Sequence, residues 1–251
     1  MIMRLVTAAL AAAFTAGIVV AVLEETTTAP LIIAAEQYED SGHHAAAPHA
    51  HGEATGHAAA STAAAAQADT HHHDPAEWAP ADGLERTFFT SITTIGTMFG
   101  FGLILLAGMI LTGARIDARS GLIWGASAFA AAGLAPALGL SPELPGAAAA
   151  ALADRQVWWA GTVIATAAGL FLTLRVSTVL AIAGGAVLIV LPHVIGAPHP
   201  AAFTSEVPSE LAGHFASASL VISAVSWCLT GVIAGFVWDR FGAHEKKVAF
   251  A

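Results

Sequence analysis

The sequence predicts an all-α protein, a polytopic integral membrane bundle of about six transmembrane helices with a long, disordered, histidine-rich extracytoplasmic loop. The 251 residues are 56% hydrophobic and only 11% charged, whereas about a quarter of the residues of an ordinary soluble domain are charged. The charged residues are also unevenly spread, because apolar stretches of about 20 residues, the length that crosses a bilayer, contain almost none of them. This composition argues strongly against a soluble fold.

Six apolar stretches are long enough, or nearly so, to form transmembrane helices. They cover residues 5–23, 87–112, 121–140, 157–174, 177–195 and 212–238. Only Arg175 and its neighbours separate the fourth stretch from the fifth, so these two form either a tight helical hairpin or one over-long helix. The second alternative leaves five spans and moves the C-terminus to the other side of the membrane.

The placement of cationic residues favours six spans, because short cytoplasmic loops are enriched in Lys and Arg. With six spans and a cytoplasmic N-terminus, seven of the nine cationic residues lie in the cytoplasm: Arg4, Arg115, Arg119, Arg175, Arg240, Lys246 and Lys247. We therefore predict that both termini are cytoplasmic. The predicted regions are a first helix at 1–23, the extracytoplasmic loop at 24–85, a five-helix bundle at 86–240 and a cytoplasmic tail at 241–251.

The first apolar stretch has a second interpretation as a cleaved signal peptide, since Arg4 precedes an alanine-rich run. That run continues to Leu23 and is followed by Glu24 and Glu25 rather than by a small-residue cleavage site. An uncleaved membrane anchor fits this pattern better.

Several function classes are disfavoured by composition and motifs. The net charge of −9 argues against nucleic-acid binding, and the single Cys228 cannot form an intramolecular disulfide or a thiolate metal cluster. The sequence contains no phosphate-binding loop of nucleotide hydrolases, no H-E-x-x-H motif and no G-x-S-x-G motif. We therefore expect neither an enzyme nor a resident cofactor.

Small residues recur at the four-residue spacing that lets helix backbones approach closely. The pairs are Gly96 with Gly100, Gly121 with Gly125, and Gly231 with Gly235. We interpret them as contacts within one bundle more readily than as a homodimer face, and the oligomeric state stays open.

The predicted loop holds eight of the twelve histidines: His43, His44, His49, His51, His57, His71, His72 and His73. Carboxylates such as Glu36 and Glu39 accompany them. Neutral imidazole binds borderline divalent metals, and the irregular spacing indicates weak capture at several alternative sites in a disordered segment. The alternative is a solvated spacer whose histidines have no role.

A second polar set follows the fifth apolar stretch. His193, His199 and His214 lie on the predicted outer side together with Glu206 and Glu210. The prolines Pro192 and Pro198 limit helix continuation, so we predict an ordered loop that forms an entry site for a divalent cation. Carboxylates at the end of the first span can contribute to this site, namely Glu24, Glu25, Glu36 and Glu39. Ordinary interfacial polarity is the alternative.

Ionisable residues are scarce inside the predicted spans, although such residues commonly mark a permeation route. A path through the membrane would therefore rely on hydroxyl groups, whose alternative role is helix packing. The candidates are Thr90, Ser91, Thr93, Thr94 and Thr97 in the second stretch and Ser217, Ser219, Ser223 and Ser226 in the sixth.

Two separated sequence blocks resemble the CbtA family of predicted cobalt transporter subunits. The first is PLIIAAEQYED at residues 30–40, directly after the alanine-rich first span. The second is LPHVIGAPHP at residues 191–200, followed by VPSELAGHFASASL at residues 207–220 and an apolar stretch to about residue 235. The middle spans match only in hydropathy.

The resemblance implies a component of the bacterial inner membrane that takes up cobalt for cobalamin synthesis. It also implies a small single-span membrane partner of the CbtB type, and family members are often described with five spans. Carried over by position, the candidate residues are Glu36, Tyr38 and Glu39 in the first block and His193, His199, Glu206 and His214 in the second. The alternative function is a non-conducting, membrane-anchored accessory that binds metal and delivers it to another transporter.

Overall fold

A computed structural model of the chain describes residues 1–45, 80–81, 83–202 and 205–249. Within these ranges the chain forms six helices: α1 Ile2–Ala45, α2 Leu84–Leu111, α3 Ala118–Ala137, α4 Leu152–Val176, α5 Val179–Ile195 and α6 Ser209–Ala249. Five of them are long and apolar enough to cross a membrane, and α5 is a shorter apolar helix of 17 residues. The predicted all-α membrane bundle is confirmed.

The two chain ends of the helical bundle lie together. Arg4, near the start of α1, donates from Nε to the main-chain carbonyl of Trp238, near the end of α6, at 2.9 Å. Its guanidinium carbon also lies 4.3 Å from the centre of the Trp238 ring. The end of α2 is on the same side, because Gly235 of α6 packs against the main chain of Asp117 in the α2–α3 connection. We call this side the Arg4 end.

The fourth and fifth apolar stretches form the predicted hairpin. Ser177 has the left-handed backbone conformation (φ 54°) that reverses the chain, and the hydroxyl of Thr178 accepts the main-chain N–H of Ala181 at the start of α5. At the opposite end of the hairpin, Trp158 Nε1 donates to the carbonyl of Pro192 at 3.2 Å. The helices therefore alternate in direction, and the 17 residues of α5 pair with only part of the longer α4. The helix α5 ends at Ile195, where the fifth apolar stretch was predicted to end, and Pro192 lies in its last turn.

The first helix is much longer than predicted, so the boundary between helix and loop at residue 23 was wrong. It passes through Glu24, Glu25 and Pro30 and reaches Ala45. Glutamate and alanine, which favour helix, recur beyond the apolar run, and Ala35 packs with Leu144 and Val207 in a small apolar cluster. This side of the molecule, where α1 ends and α2 begins, is called the Glu36 end. Residues 46–79 of the predicted loop lie outside the described residues.

Close glycine contacts join α3 to α6. A Cβ atom on Gly121 would clash with the carbonyl oxygen of Gly231, and Gly125 approaches the α6 main chain in the same way. These two glycine pairs therefore pack within the bundle, as predicted. By contrast, a Cβ atom on Gly96 or Gly100 of α2 would meet no atom within 4 Å.

The half of the bundle nearer the Arg4 end contains its largest apolar core. Alanines of α1 allow α2 and α6 to approach this helix closely, and larger side chains of α2 fill the space between them. Its buried members are Ala8, Ala9, Ala12, Leu105, Leu106, Met109, Trp227 and Ala234. This packing is dense enough to separate the Arg4 end from the polar side chains of the other half.

Candidate functional site

A cavity of about 670 Å³ lies between α1, α2 and α6 on the Glu36 side of this core. We call it the α1–α2–α6 cavity. Its ionisable lining groups are Glu24, Glu25, Glu36 and Arg86. Its hydroxyl groups include five of the residues predicted as a polar stripe, namely Thr90, Thr97, Ser219, Ser223 and Ser226. The structure thus brings carboxylates of α1 together with hydroxyls of α2 and α6.

The depth of the cavity follows from helix geometry. Arg4 and Glu24 are 20 residues apart on α1, which is about 30 Å at 1.5 Å per residue and equals the thickness of the hydrocarbon core. Within α4, Arg155 and Arg175 are separated by the same number of residues. With Arg4 at one boundary, Glu24 lies at the other, and Met98, four residues beyond the Glu24 partner Thr94 on α2, lies about 6 Å inside the core. The cavity therefore extends from outside the membrane into its apolar layer.

The outermost charged groups of the cavity form an ion pair between α1 and α2. Arg86 donates from Nη2 to Glu36 Oε1 at 2.6 Å and from Nη1 to Oε2 at 3.1 Å. The side chains are 32% and 40% exposed, and pairs of this kind contribute at most about 1 kcal/mol. Both oxygens of Glu36, a predicted metal ligand, are thus engaged by the guanidinium.

The two deeper carboxylates accept hydrogen bonds from threonines of α2. The Thr87 hydroxyl donates to Glu25 at 3.1 Å, and the Thr94 hydroxyl donates to Glu24 at 2.6 Å. With all groups ionised, three carboxylates and one guanidinium leave the cavity lining with a net charge of −2. This charge is sufficient to neutralise one divalent cation.

Hydroxyl groups in the cavity present oxygen lone pairs to its interior. Ser226, which is 3% exposed, donates to the Ile222 carbonyl one turn earlier at 2.8 Å, and Thr97 donates to the Thr93 carbonyl at 2.9 Å. Because the single hydroxyl proton is used on the helix itself, the oxygen remains available as an acceptor or as a cation ligand.

The cavity is closed towards the Arg4 end by contacts between α2 and α6. Phe101, which lines the cavity, stacks on Trp227 with ring centroids 3.7 Å apart and ring planes 9° apart. At the same level the hydroxyl of Thr230 donates to the sulfur of Met98 at 3.4 Å. The large apolar core lies on the Arg4 side of these contacts.

The predicted outer-loop residues are not gathered into one site. His193 lies in the last turn of α5, where its buried Nε2 atom has no hydrogen-bond partner and its ring stands edge-on to Trp158, with centroids 6.0 Å apart. His199, Glu206 and His214 are exposed. Throughout the described ranges, no group of three His, Cys, Asp or Glu side chains is arranged to hold a metal ion. Metal binding by these residues stays a prediction.

The histidine-rich candidates are only partly covered by the structure. Glu39, His43 and His44 belong to the last two turns of α1. The remaining ones, His49, His51, His57, His71, His72 and His73, lie outside the described residues.

Sequence reasoning gave Glu24 and Glu25 only a supporting role and missed Arg86 and Met98. The available signal was the return of apolar and helix-forming residues at 31–36 (LIIAAE) after the two glutamates. If the first helix continues beyond residue 23, the two glutamates lie beside the second helix and not in a loop.

The bundle and its cavity define a multi-pass membrane protein with a polar entrance into its apolar core. A family model described as "Probable cobalt transporter subunit (CbtA)" matches residues 2–239. The chain belongs to the CbtA family, and the resemblance seen in the two sequence blocks is confirmed. No curated protein and no solved structure matches the chain. A transporter subunit is not an enzyme, and the word subunit implies that partner proteins exist.

Proposed function

We propose that this protein admits a divalent transition-metal cation, cobalt, to a path across the inner membrane, and that the cation serves cobalamin synthesis. The α1–α2–α6 cavity is the observation that supports this proposal most directly. It combines a net charge of −2 with hydroxyl oxygens inside the hydrocarbon layer, and polar groups at this depth commonly mark an ion pathway.

The orientation follows from the positive-inside rule. The Arg4 end carries a concentration of cationic residues, namely Arg4, Arg115, Arg119, Arg175 and Arg240. This end therefore faces the cytoplasm together with both termini. The Glu36 end, the cavity mouth and the histidine-rich segment between α1 and α2 then face outward, where the metal is captured.

Entry of the cation requires that protein atoms replace its bound water. Glu24 and Glu25 supply anionic oxygens at the membrane boundary, and serine and threonine hydroxyls supply neutral oxygens deeper in the cavity. Met98 adds a thioether sulfur near the closed end of the cavity, a soft ligand that borderline transition metals accept more readily than Mg²⁺ or Ca²⁺ do. The outer histidines, including His193, raise the local metal concentration at the mouth. A small single-span subunit of the CbtB type is the expected partner.

One observation favours a second candidate function, the non-conducting metal-binding accessory. The cavity ends at Phe101 and Trp227 and does not continue to the Arg4 end. An accessory would bind the cation in this blind cavity and release it outward to another transporter.

Cobalt uptake into proteoliposomes separates the two candidates. The chain is reconstituted with and without its partner, and the internal cobalt is measured by mass spectrometry after external metal is removed. We expect time-dependent internal cobalt, and at least a tenfold loss when Glu24→Gln and Glu25→Gln are combined. The matched control is Glu85→Gln, because this exposed carboxylate of α2 accepts the Ala81 N–H and is not part of the cavity lining.

Two results would contradict the proposed transport route. Binding of cobalt without internal accumulation, with the partner present, would favour the accessory function. Undiminished uptake by the double variant at equal protein abundance would show that the cation does not pass these carboxylates.

A further inference from the structure

The closed end of the α1–α2–α6 cavity is formed by two aromatic rings, one from α2 and one from α6. We infer that Phe101 and Trp227 are the inner gate of the transport path. The inference rests on the proposed function, because only a conducting path needs a gate. A gate of this kind must block the hydrated cation in the present conformation and must lie where one helix can move relative to the other.

The rings block the path because they leave no polar surface across it. Their planes are nearly parallel and their centroids are 3.7 Å apart, and Trp227 is only 7% exposed. Met98 and Thr230, which are 3% and 0% exposed, close the space beside them. A hydrated divalent cation cannot enter such an apolar constriction, which excludes water as well.

The polar lining ends where this closure begins. Ser226 directly precedes Trp227 on α6 and lines the cavity with its neighbour one turn earlier, Ser223. On the other side of the rings, Leu105 and Leu106 of α2 are 2% and 0% exposed. The aromatic pair therefore marks the boundary between a polar cavity and a dry core, which is the position that an inner gate requires.

Both helices that carry the rings have close main-chain contacts, since Gly102 of α2 packs against the main chain of Ala9 in α1, but they differ in the glycines nearest the rings. On α6, Gly231 and Gly235 are locked against the main chain of α3 and its preceding residue, so Trp227 belongs to a rigid α3–α6 pair. On α2, Gly96 and Gly100 have no packing neighbour that a Cβ atom would meet within 4 Å. These glycines weaken the helix without serving a close contact, and Gly100 directly precedes Phe101. Bending of α2 at this point would separate its ring from Trp227.

Cysteine accessibility tests the closure independently of transport. In a Cys228→Ala background, a membrane-impermeant thiol reagent added at the outer face should label Ser223→Cys, which lines the cavity and is partly exposed, but not Leu105→Cys. Combining Phe101→Ala with Trp227→Ala should make Leu105→Cys reactive at least tenfold faster. The control Phe88→Ala, which removes an exposed ring of α2 at the Glu36 end, should leave its labelling unchanged.

Efflux from proteoliposomes preloaded with cobalt tests the same gate in function. The paired alanine substitutions should release metal at least fivefold faster than the unaltered protein, whereas Phe101→Leu should retain most of the closure. Should the paired variant fail to reach the membrane, Trp227→Leu replaces it in both assays with the same expected direction. Gly96→Ala combined with Gly100→Ala should slow uptake severalfold without raising efflux, because both positions have room for a methyl group.

The outcomes separate this inference from the proposed function. Absence of uptake by the unaltered protein and its partner would contradict the proposed function. Normal uptake together with unchanged labelling and efflux in the alanine variants would show that Phe101 and Trp227 are not the gate. Normal uptake by the glycine variant would exclude bending of α2 as the opening movement.

Discussion

Replacing Glu24 by Gln removes one negative charge from the α1–α2–α6 cavity and changes little else. The amide oxygen of Gln can still accept the hydroxyl of Thr94, which donates to Glu24 at 2.6 Å. The substitution is also nearly isosteric, so the helix packing around residue 24 has no reason to change. Its effect on cobalt binding therefore reports the charge itself.

The expected magnitude follows from Coulomb's law. A divalent cation 4 Å from a carboxylate gains about 8 kcal/mol at an effective dielectric constant of 20. Most of this gain is offset, because the cation and the carboxylate both lose hydration on binding. A remainder of about 1.4 to 2.7 kcal/mol corresponds to a Kd that is raised roughly 10 to 100 times. We expect the Glu24→Gln variant to fall in this range.

Equilibrium dialysis of ⁵⁷Co²⁺ against the protein in lipid nanodiscs measures this Kd directly. A second variant, Thr94→Val, keeps the carboxylate and removes only the hydroxyl that bonds to it, so its Kd should rise less than that of Glu24→Gln. An unchanged Kd for Glu24→Gln, within a factor of two, would refute the assignment of Glu24 as a cation ligand.

Three further predictions concern other parts of the molecule. Gly121→Leu should lower the thermal stability of the detergent-solubilised protein by several degrees, because its side chain would clash with α6, while Gly100→Ala should not. Asp117→Ala should cost about 1 kcal/mol through loss of the α3 cap. Hydrogen bonds from Ser120 lower the pKa of Asp117. The stabilisation is therefore present above the ordinary pKa near 3.8 and is lost as the pH falls through the lowered value. The difference in melting temperature between Asp117→Ala and the unaltered protein should accordingly vanish in acid. His193→Phe should leave the thermal stability unchanged or higher, because Nε2 is buried without a partner. It should nevertheless reduce cobalt uptake at low metal concentration more than deletion of residues 42–74 does. Equal uptake by the unaltered protein and both variants would show that neither His193 nor residues 42–74 take part in metal capture.

The positions of the helices were predictable because hydropathy is a local property of the chain. Each apolar stretch corresponds to one helix, and the break near Arg175 is encoded by adjacent residues, with Ser177 reversing the chain and Thr178 starting α5. The end of α1 was not predictable from hydropathy alone. Glu24 and Glu25 interrupt an apolar pattern, but glutamate does not interrupt a helix.

The glycine pairs show that packing between helices was also not predictable from sequence spacing alone. All three share one sequence pattern, yet only those at Gly121 and Gly231 meet another helix main chain. The pair at Gly96 and Gly100 has the same spacing and no such neighbour. Spacing describes one helix, whereas close approach requires a second helix in the correct place.

By itself, the sequence determined that this protein is a membrane bundle, where its helices lie and which end carries the excess of cationic residues. Only the tertiary structure decided which polar groups share a cavity. Glu36 meets Arg86 across the histidine-rich segment, Glu24 meets Thr94, and Phe101 meets Trp227 from a helix more than 100 residues away. These contacts depend on how α1, α2 and α6 pack side by side. Packing between segments that are distant in the chain leaves no periodic signal in the sequence of any one helix. For this reason the sequence pointed to the conspicuous histidines, while the structure points to two glutamates at the boundary of the apolar layer.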